Sequence, residues 1–178
     1  MKMKVGPAVL IMVCLVVFSF CYGAYRGWSR ERELVNETYA GLAEMLNTRV
    51  ESAYNLVTVA SRHLGSGDET LGRVIRERDT LAGKASLTEK ATANEQLTLD
   101  AAALLQTLSQ LDSVKQDSRH QMYVTSYLPQ MLAESESLTT QANYNQAARE
   151  FNQSLKGRVS GWLARMFGIK PADQFIVP

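Results

Sequence analysis

Cysteine, histidine and proline are scarce in this chain of 178 residues, and each scarcity removes a class of function. The only cysteines, Cys14 and Cys21, lie in an apolar N-terminal run, so the rest of the chain carries no thiol. His63 and His120 are the only histidines. A His-Cys metal centre is therefore excluded from the body, and no metal or cofactor is expected. Gly65-Ser66-Gly67 lacks the lysine of a phosphate-binding loop. Glu134 and Glu136 are two apart, so on a helix they diverge by about 200° and cannot act as a carboxylate pair. Asp112 with Asp117, and Glu89 with Glu95, read as solvated charges. No catalytic residue is expected, and the chain reads as a non-enzyme. A formal net charge of +1 argues against a broad nucleic-acid footprint.

Charge is also missing locally. Val5 to Tyr25 holds no charged residue, about 21 positions, roughly the length a helix needs to cross a bilayer core. Lys2 and Lys4 precede it, and Arg26, Arg30 and Arg32 follow it. Tyr22, Tyr25 and Trp28 stand where an interfacial aromatic belt would lie. The run exceeds an ordinary signal-peptide core, no A-x-A site closes it, and Phe20 before Cys21 spoils a lipoprotein cleavage site. An uncleaved anchor over residues 1–28 is the expected reading. Lysines on one side nearly balance arginines on the other, with a slight preference for a cytoplasmic N-terminus and an extracytoplasmic body. Cys14 and Cys21 share a helix face and read as small membrane-facing residues. Acylation of Cys21 and a disulfide between parallel copies are the alternatives.

Proline is absent between Pro7 and Pro129, and β-branched alternation is rare. Leu42, Leu46, Val50, Ala53, Val57, Ala60 and Leu64 step by three and four, which predicts one helix ending at the Gly65-Ser66-Gly67 stop. Asp68 is placed to cap a second helix with an apolar face of Leu71, Val74, Ile75, Ala82 and Ala85, bent or broken between Gly83 and Thr88. Leu97, Ala101, Leu104, Leu108 and Leu111 form the cleanest stripe. A fourth runs through Val114, Ser118, Gln121, Thr125, Leu128, Met131 or Leu132, Ser135, Leu138, Ala142 and Asn145. Its phase survives Pro129, which predicts one long helix kinked there, with two helices broken at Leu128 as the alternative. Gly157 ends it, and Val159, Trp162, Leu163, Met166 and Phe167 make a short apolar face before Gly168 and Pro171. The expected fold is all-α, an antiparallel four-helix-type bundle over residues 29–157 after one transmembrane helix, with a short helix and apolar tail over 158–178.

His63, at a helix end, is expected to bond the last carbonyls, and His120 to be an exposed surface residue. Arg73, Arg76 and Arg78 interleave with Glu77 and Asp79, which reads as a solvated face with local ion pairs before it reads as an anion site.

The C-terminal region is the most distinctive. Tyr144-Asn145 and Phe151-Asn152 lie seven apart and share a helix face, followed by Phe167-Gly168-Ile169-Lys170-Pro171 and Phe175. A buried amide must be hydrogen-bonded or costs about 1–3 kcal/mol, so Asn145 and Asn152 are expected to fix where the tail docks. These motifs, with Arg49 before Asn55-Leu56-Val57 and with Leu71, Val74 and Arg78, resemble the LemA family. Tyr54 replaces a usual proline, and Lys156-Gly157 replaces a Phe-Pro. The resemblance implies a membrane anchor followed by a helical bundle in the bacterial inner membrane, with no known activity attached. Asn55, Tyr144, Asn145, Phe151, Asn152, Trp162, Phe167 and Phe175 are the structural or interaction candidates. The expected function is interaction or assembly at the cell envelope, with the bilayer and further copies or other envelope proteins as partners. A sensory or small-anion-binding module using Arg73 or Arg76 is the alternative.

Overall fold

The computed structural model describes residues 5–65 and 67–177. Lys2, Lys4, Ser66 and Pro178 lie outside the described residues. The fold is all-α, with no strand among the described residues. Helix α1 spans Val5–His63, 59 residues without interruption, so the apolar run and the first stripe belong to one helix. The apolar portion is long enough to cross a membrane, and none of its residues with described burial is buried. The helices that follow are α2 (Glu69–Ala82), α3 (Leu87–Gln110), α4 (Asp112–Lys115), α5 (Ser118–Met122), α6 (Leu128–Ser135), α7 (Leu138–Ser154) and α8 (Arg158–Met166). A π-helical turn, Tyr123–Tyr127, joins α5 to α6.

The chain forms two compact units. The larger comprises Thr38–Asn145 and the residues from Asp173 onward. Its core takes Leu42, Leu46, Ala53, Leu56 and Ala60 from α1, and Leu71, Val74 and Leu81 from α2. Leu97, Ala101, Leu104 and Leu108 of α3 join them, with Val114, Val124, Leu128 and Leu132 from further along. Asp68 accepts from the Leu71 amide at 2.8 Å and caps α2, as its position predicts. Leu81, not Ala82, is the buried residue at the end of α2. The α2–α3 break is sharp because Ser86 and Glu89 form a reciprocal capping box, Glu89 accepting from the Ser86 amide at 2.8 Å. The short link makes α2 and α3 antiparallel neighbours, and they pack together.

The expected long helix through Pro129 is corrected. Helical structure does pass through Pro129, but it stops between Ser135 and Leu138 and again before Asp117. Proline has no N–H and crowds the preceding turn, and the backbone answers with the π-helical turn, where Leu128 N–H reaches back to the Tyr123 carbonyl. The extra residue shifts the phase. Leu128, Leu132 and Ser135 of the expected stripe are buried, with Val124 beside them, while Gln121 and Thr125 ahead of Leu128 face out, as does Leu138 beyond the break at Glu136. Ser137 restarts the chain as α7, accepting from the Thr140 amide at 3.2 Å.

The smaller unit comprises residues up to Glu37 and Gln146–Ala172. It buries Trp28, Val35, Ala148, Phe151, Leu155 and Leu163. Trp28 is 5% exposed and so belongs to the protein interior, not to an outward-facing aromatic belt; Tyr22 and Tyr25 remain exposed. α7 ends at Ser154, and Gly157 immediately precedes α8 rather than ending α7. A Cβ on Gly161 would lie 2.7 Å from the Leu155 carbonyl oxygen, a backbone approach only glycine allows. Gly168, at φ 68°, closes α8: its amide bonds the Arg165 carbonyl and Ile169 N–H reaches the Ala164 carbonyl, a Schellman arrangement.

Candidate functional site

The most concentrated polar site in the larger unit surrounds Arg49, which is 1% exposed. A buried guanidinium survives only if its donors are met. Here Nε donates to Asn94 Oδ1 at 3.1 Å, and Nη1 donates to the Leu132 carbonyl at 2.7 Å and to Ser135 Oγ at 3.4 Å. Nη2 donates to Thr98 Oγ1 and lies 3.7 Å from Glu136 Oε2. Thr98 passes the contact on, donating to Glu136 at 3.2 Å. Burial pulls the guanidinium below its ordinary pKa, and the Glu136 carboxylate pushes it back up. The Leu132 carbonyl explains the site. α6 stops at Ser135, and Glu136 N–H turns to the Ala133 carbonyl, so Leu132 lacks its helical donor. Arg49 and the Ser135 hydroxyl supply it. The cluster closes the end of a helix.

A second polar device holds the C-terminal tail. In the larger unit, Asn145 Nδ2 donates to the Phe175 carbonyl at 2.7 Å, and Phe175 N–H donates to Asn145 Oδ1 at 2.8 Å. Tyr144 Oη donates to the Asp173 carbonyl at 2.6 Å. In the smaller unit, Asn152 pairs the same way with Ala172, at 2.8 and 2.7 Å. Each carboxamide acts as a peptide group, one donor and one acceptor facing one residue's backbone. Seven helical residues rise about 10.5 Å, and three extended residues about 10 Å. Amides seven apart on a helix are therefore in step with residues three apart on an extended segment. Phe175 is 4% exposed, and Phe151 is buried with the Arg32 guanidinium 5.4 Å from its ring centre.

A LemA family model matches residues 38–178. The chain belongs to the LemA family. A search of the curated proteins found no match.

This LemA family chain uses its candidate residues unevenly. Tyr144, Phe151 and Phe175 are buried, and Asn145 and Asn152 are half-buried and paired. Trp162 and Phe167 are exposed, and the Phe167 ring centre lies 5.5 Å from that of Tyr25 in the smaller unit. Asn55 is exposed and borders a shallow groove with Arg62, His120 and Tyr123.

The histidines depart from expectation. His63 does not bond the last helical carbonyls; its Nε2 lies 2.8 Å from His120 Nδ1, and its Nδ1 lies 3.0 Å from Ser113 Oγ. His120 is half-buried rather than exposed, with 13% of its side chain accessible, and Asp117 Oδ2 lies 3.0 Å from its Nδ1. Burial, with His120 and Arg62 nearby, lowers the His63 pKa, and Asp117 opposes this. Residues 111–120 fold back onto the end of α1, which no periodicity in that polar stretch announces.

Arg73 is engaged within the protein, by Asp100 at 2.9 Å and Glu69 at 3.2 Å. Arg78 pairs with Asp79 at 2.7 Å. Glu77 Oε2 is buried without a donor. Burial and the neighbouring Asp100 carboxylate push the Glu77 pKa up to about 7, against the opposing pull of Arg73 and Arg76. Protonated, Glu77 donates to Asp100, which resolves the unmet oxygen.

Asn94, Thr98, Ser135 and Glu136 escape sequence reasoning as a group, because they come from two helices distant in sequence. Arg49 itself leaves a trace: it lies seven residues after Leu42 and seven before Leu56, a lone charge on an apolar stripe.

Proposed function

We propose that this protein is a membrane-tethered, non-enzymatic helical bundle that acts by protein interaction or assembly at the bacterial inner membrane. A single span, with the bundle outside the cytoplasm, completes the reading. Its anchor is the uncharged stretch of α1, whose apolar window is not buried in the protein. The observation that carries the interaction reading is an apolar rim in the larger unit. Leu99, Leu138 and Val177 are exposed around a groove of about 350 Å³, and Leu138 is 71% exposed. Phe175 and Gln141 also line it. Large exposed apolar side chains gathered at one groove mark a contact surface. Its occupant is a second copy or another envelope protein, gripping apolar side chains.

The tail contributes indirectly. Phe175 is docked by Asn145, and Val177 then stands at the groove. Deleting residues 172–178 therefore removes part of the surface rather than a free hook. Two of the candidate cations are committed internally: Arg49 to a helix end, and Arg73 to Asp100 and Glu69.

The test is photo-crosslinking from position 138 in intact cells, combined with sizing in mild detergent. A discrete adduct is expected, lost with Leu99→Lys. Leu99 and Leu138 are exposed, so these changes leave the bundle folded. No adduct, with the same particle size for wild type and Leu99→Lys, overturns the interaction reading. A reporter fused after Pro178 tests the orientation: activity only of a cytoplasmic reporter would reverse it.

A further inference from the structure

α8 has a face that its own protein does not cover. Val159, Trp162 and Met166 recur at three and four residues and are all strongly exposed, whereas Leu163 and Ala164 are buried. At 100° per residue the three lie within about 60° of one another, and Arg158 and Arg165 flank them on one side. An apolar stripe edged by arginines, on a helix otherwise seated on protein, has the chemistry of a helix lying in a membrane interface.

The setting decides the occupant. Tyr25 is the last residue of the uncharged run, and its ring centre lies 5.5 Å from that of Phe167, directly after α8. If the run crosses the bilayer, Tyr25 stands at headgroup level, and so does Phe167. Arg32 and Lys170 line a cavity of about 550 Å³ beside these two rings, and Arg32 Nη1 donates to the Lys170 carbonyl at 3.3 Å. Both the apolar stripe and the cations thus belong to the unit that carries the anchor.

We infer that α8 is a second membrane contact: it lies in the headgroup region of the same bilayer and prefers anionic lipid. Val159, Trp162 and Met166 enter the boundary between headgroups and acyl chains, and Arg158 and Arg165 meet lipid phosphates. This rests on the anchor reading above.

The test uses the full chain with Cys14→Ala and Cys21→Ala, reconstituted in vesicles of phosphatidylcholine and phosphatidylglycerol. An environment-sensitive fluorophore is attached at Met166→Cys, at Val159→Cys in a second variant, and at Gln106→Cys on exposed α3 as control. Emission from positions 166 and 159 is expected to shift to shorter wavelength and to be at least halved by lipids with a nitroxide near the headgroup, while position 106 is unaffected. Replacing Arg158 and Arg165 by Glu should abolish the dependence on phosphatidylglycerol. Solvent-like, unquenched labels on a chain that resists carbonate extraction overturn the α8 contact and leave the anchor standing. Release by carbonate overturns the anchor and this inference with it. A blue shift without quenching that disappears on dilution in lipid assigns the stripe to protein and overturns the lipid occupant.

Discussion

Replacing Arg49 by Met removes the guanidinium but retains much of the apolar stem. Five groups then lose a guanidinium contact: Asn94 Oδ1, the Leu132 carbonyl, Ser135 Oγ, Thr98 Oγ1 and Glu136. Breaking a buried ion pair by removing one side costs about 3–5 kcal/mol. Two features pull this site to the lower end. The Glu136 side chain is 24% exposed and can turn to water, and Ser135 still donates to the Leu132 carbonyl at 2.9 Å. The expected loss is about 3 kcal/mol. For a body of this size each kcal/mol moves Tm by about 2–4 °C, so Tm should fall by about 6–12 °C. Far-UV circular dichroism melts of the full chain in mild detergent measure it. Lysine at position 49 keeps the charge but cannot reach Asn94, Leu132 and Thr98 together, so it should recover less than half of the loss. Asn94→Leu should cost less in the Arg49→Met background than in wild type, because the two share one bond. A Tm change below about 2 °C for Arg49→Met, or full rescue by Lys, refutes the claim that this fork closes α6.

Two further predictions follow from the tail and from α2. Asn145→Ala should cost about 1–3 kcal/mol and speed hydrogen exchange at the Phe175 amide, and Asn152→Ala should do the same at Ala172; unchanged exchange at both would refute the latch. Glu77, with its folded pKa raised from 4.5 to about 7, makes the protein less stable as pH rises through that window, because the unfolded chain ionises first. Glu77→Gln should flatten the fall in Tm between pH 4.5 and pH 7, and parallel Tm profiles for the two proteins would contradict it.

Local signals in the sequence carried the elements that depend on local physics. The α1 and α3 stripes, the Asp68 cap and the tail motifs all follow from spacing and capping chemistry. Ser86-x-x-Glu89 was equally readable as a capping box and places the α2–α3 break at a residue. The break at Glu136 was not readable. Glu136 has extended backbone, φ −97° and ψ 100°, between two serines that also occur within helices, and Arg49, from α1, supplies the donor that makes ending α6 tolerable. The apolar phase does continue across Pro129, since Leu128, Leu132 and Ser135 are all buried; it fails on either side of that stretch. The π-helical turn puts Gln121 and Thr125 out of step with Leu128, and the break at Glu136 and Ser137 leaves Leu138 outside. The Asn145 and Asn152 latch was legible as a need for partners; which carbonyls they take was not, since that depends on where an extended tail lies.

A ligand with polar groups needs spare donors or acceptors on the protein. Four candidate groups are consumed here: Arg49 by a helix end, Arg73 by Asp100, and Asn145 and Asn152 by tail backbone. Recruiting any of them would break an internal hydrogen bond worth about 1 kcal/mol and leave a buried partner unmet at about 1–3 kcal/mol. Exposed apolar side chains carry no such cost. Covering one of Leu99, Leu138, Val159, Trp162 or Met166, all more than half exposed, returns part of the ~1.5–3 kcal/mol that full burial of a large side chain provides. Binding energy is therefore most readily available through apolar contact. Among the described residues, the rim at Leu138 and the outer face of α8 are two surfaces that offer it. This asymmetry is the physical ground for proposing a protein that holds neighbours and membrane together, rather than one that recognises a small polar molecule.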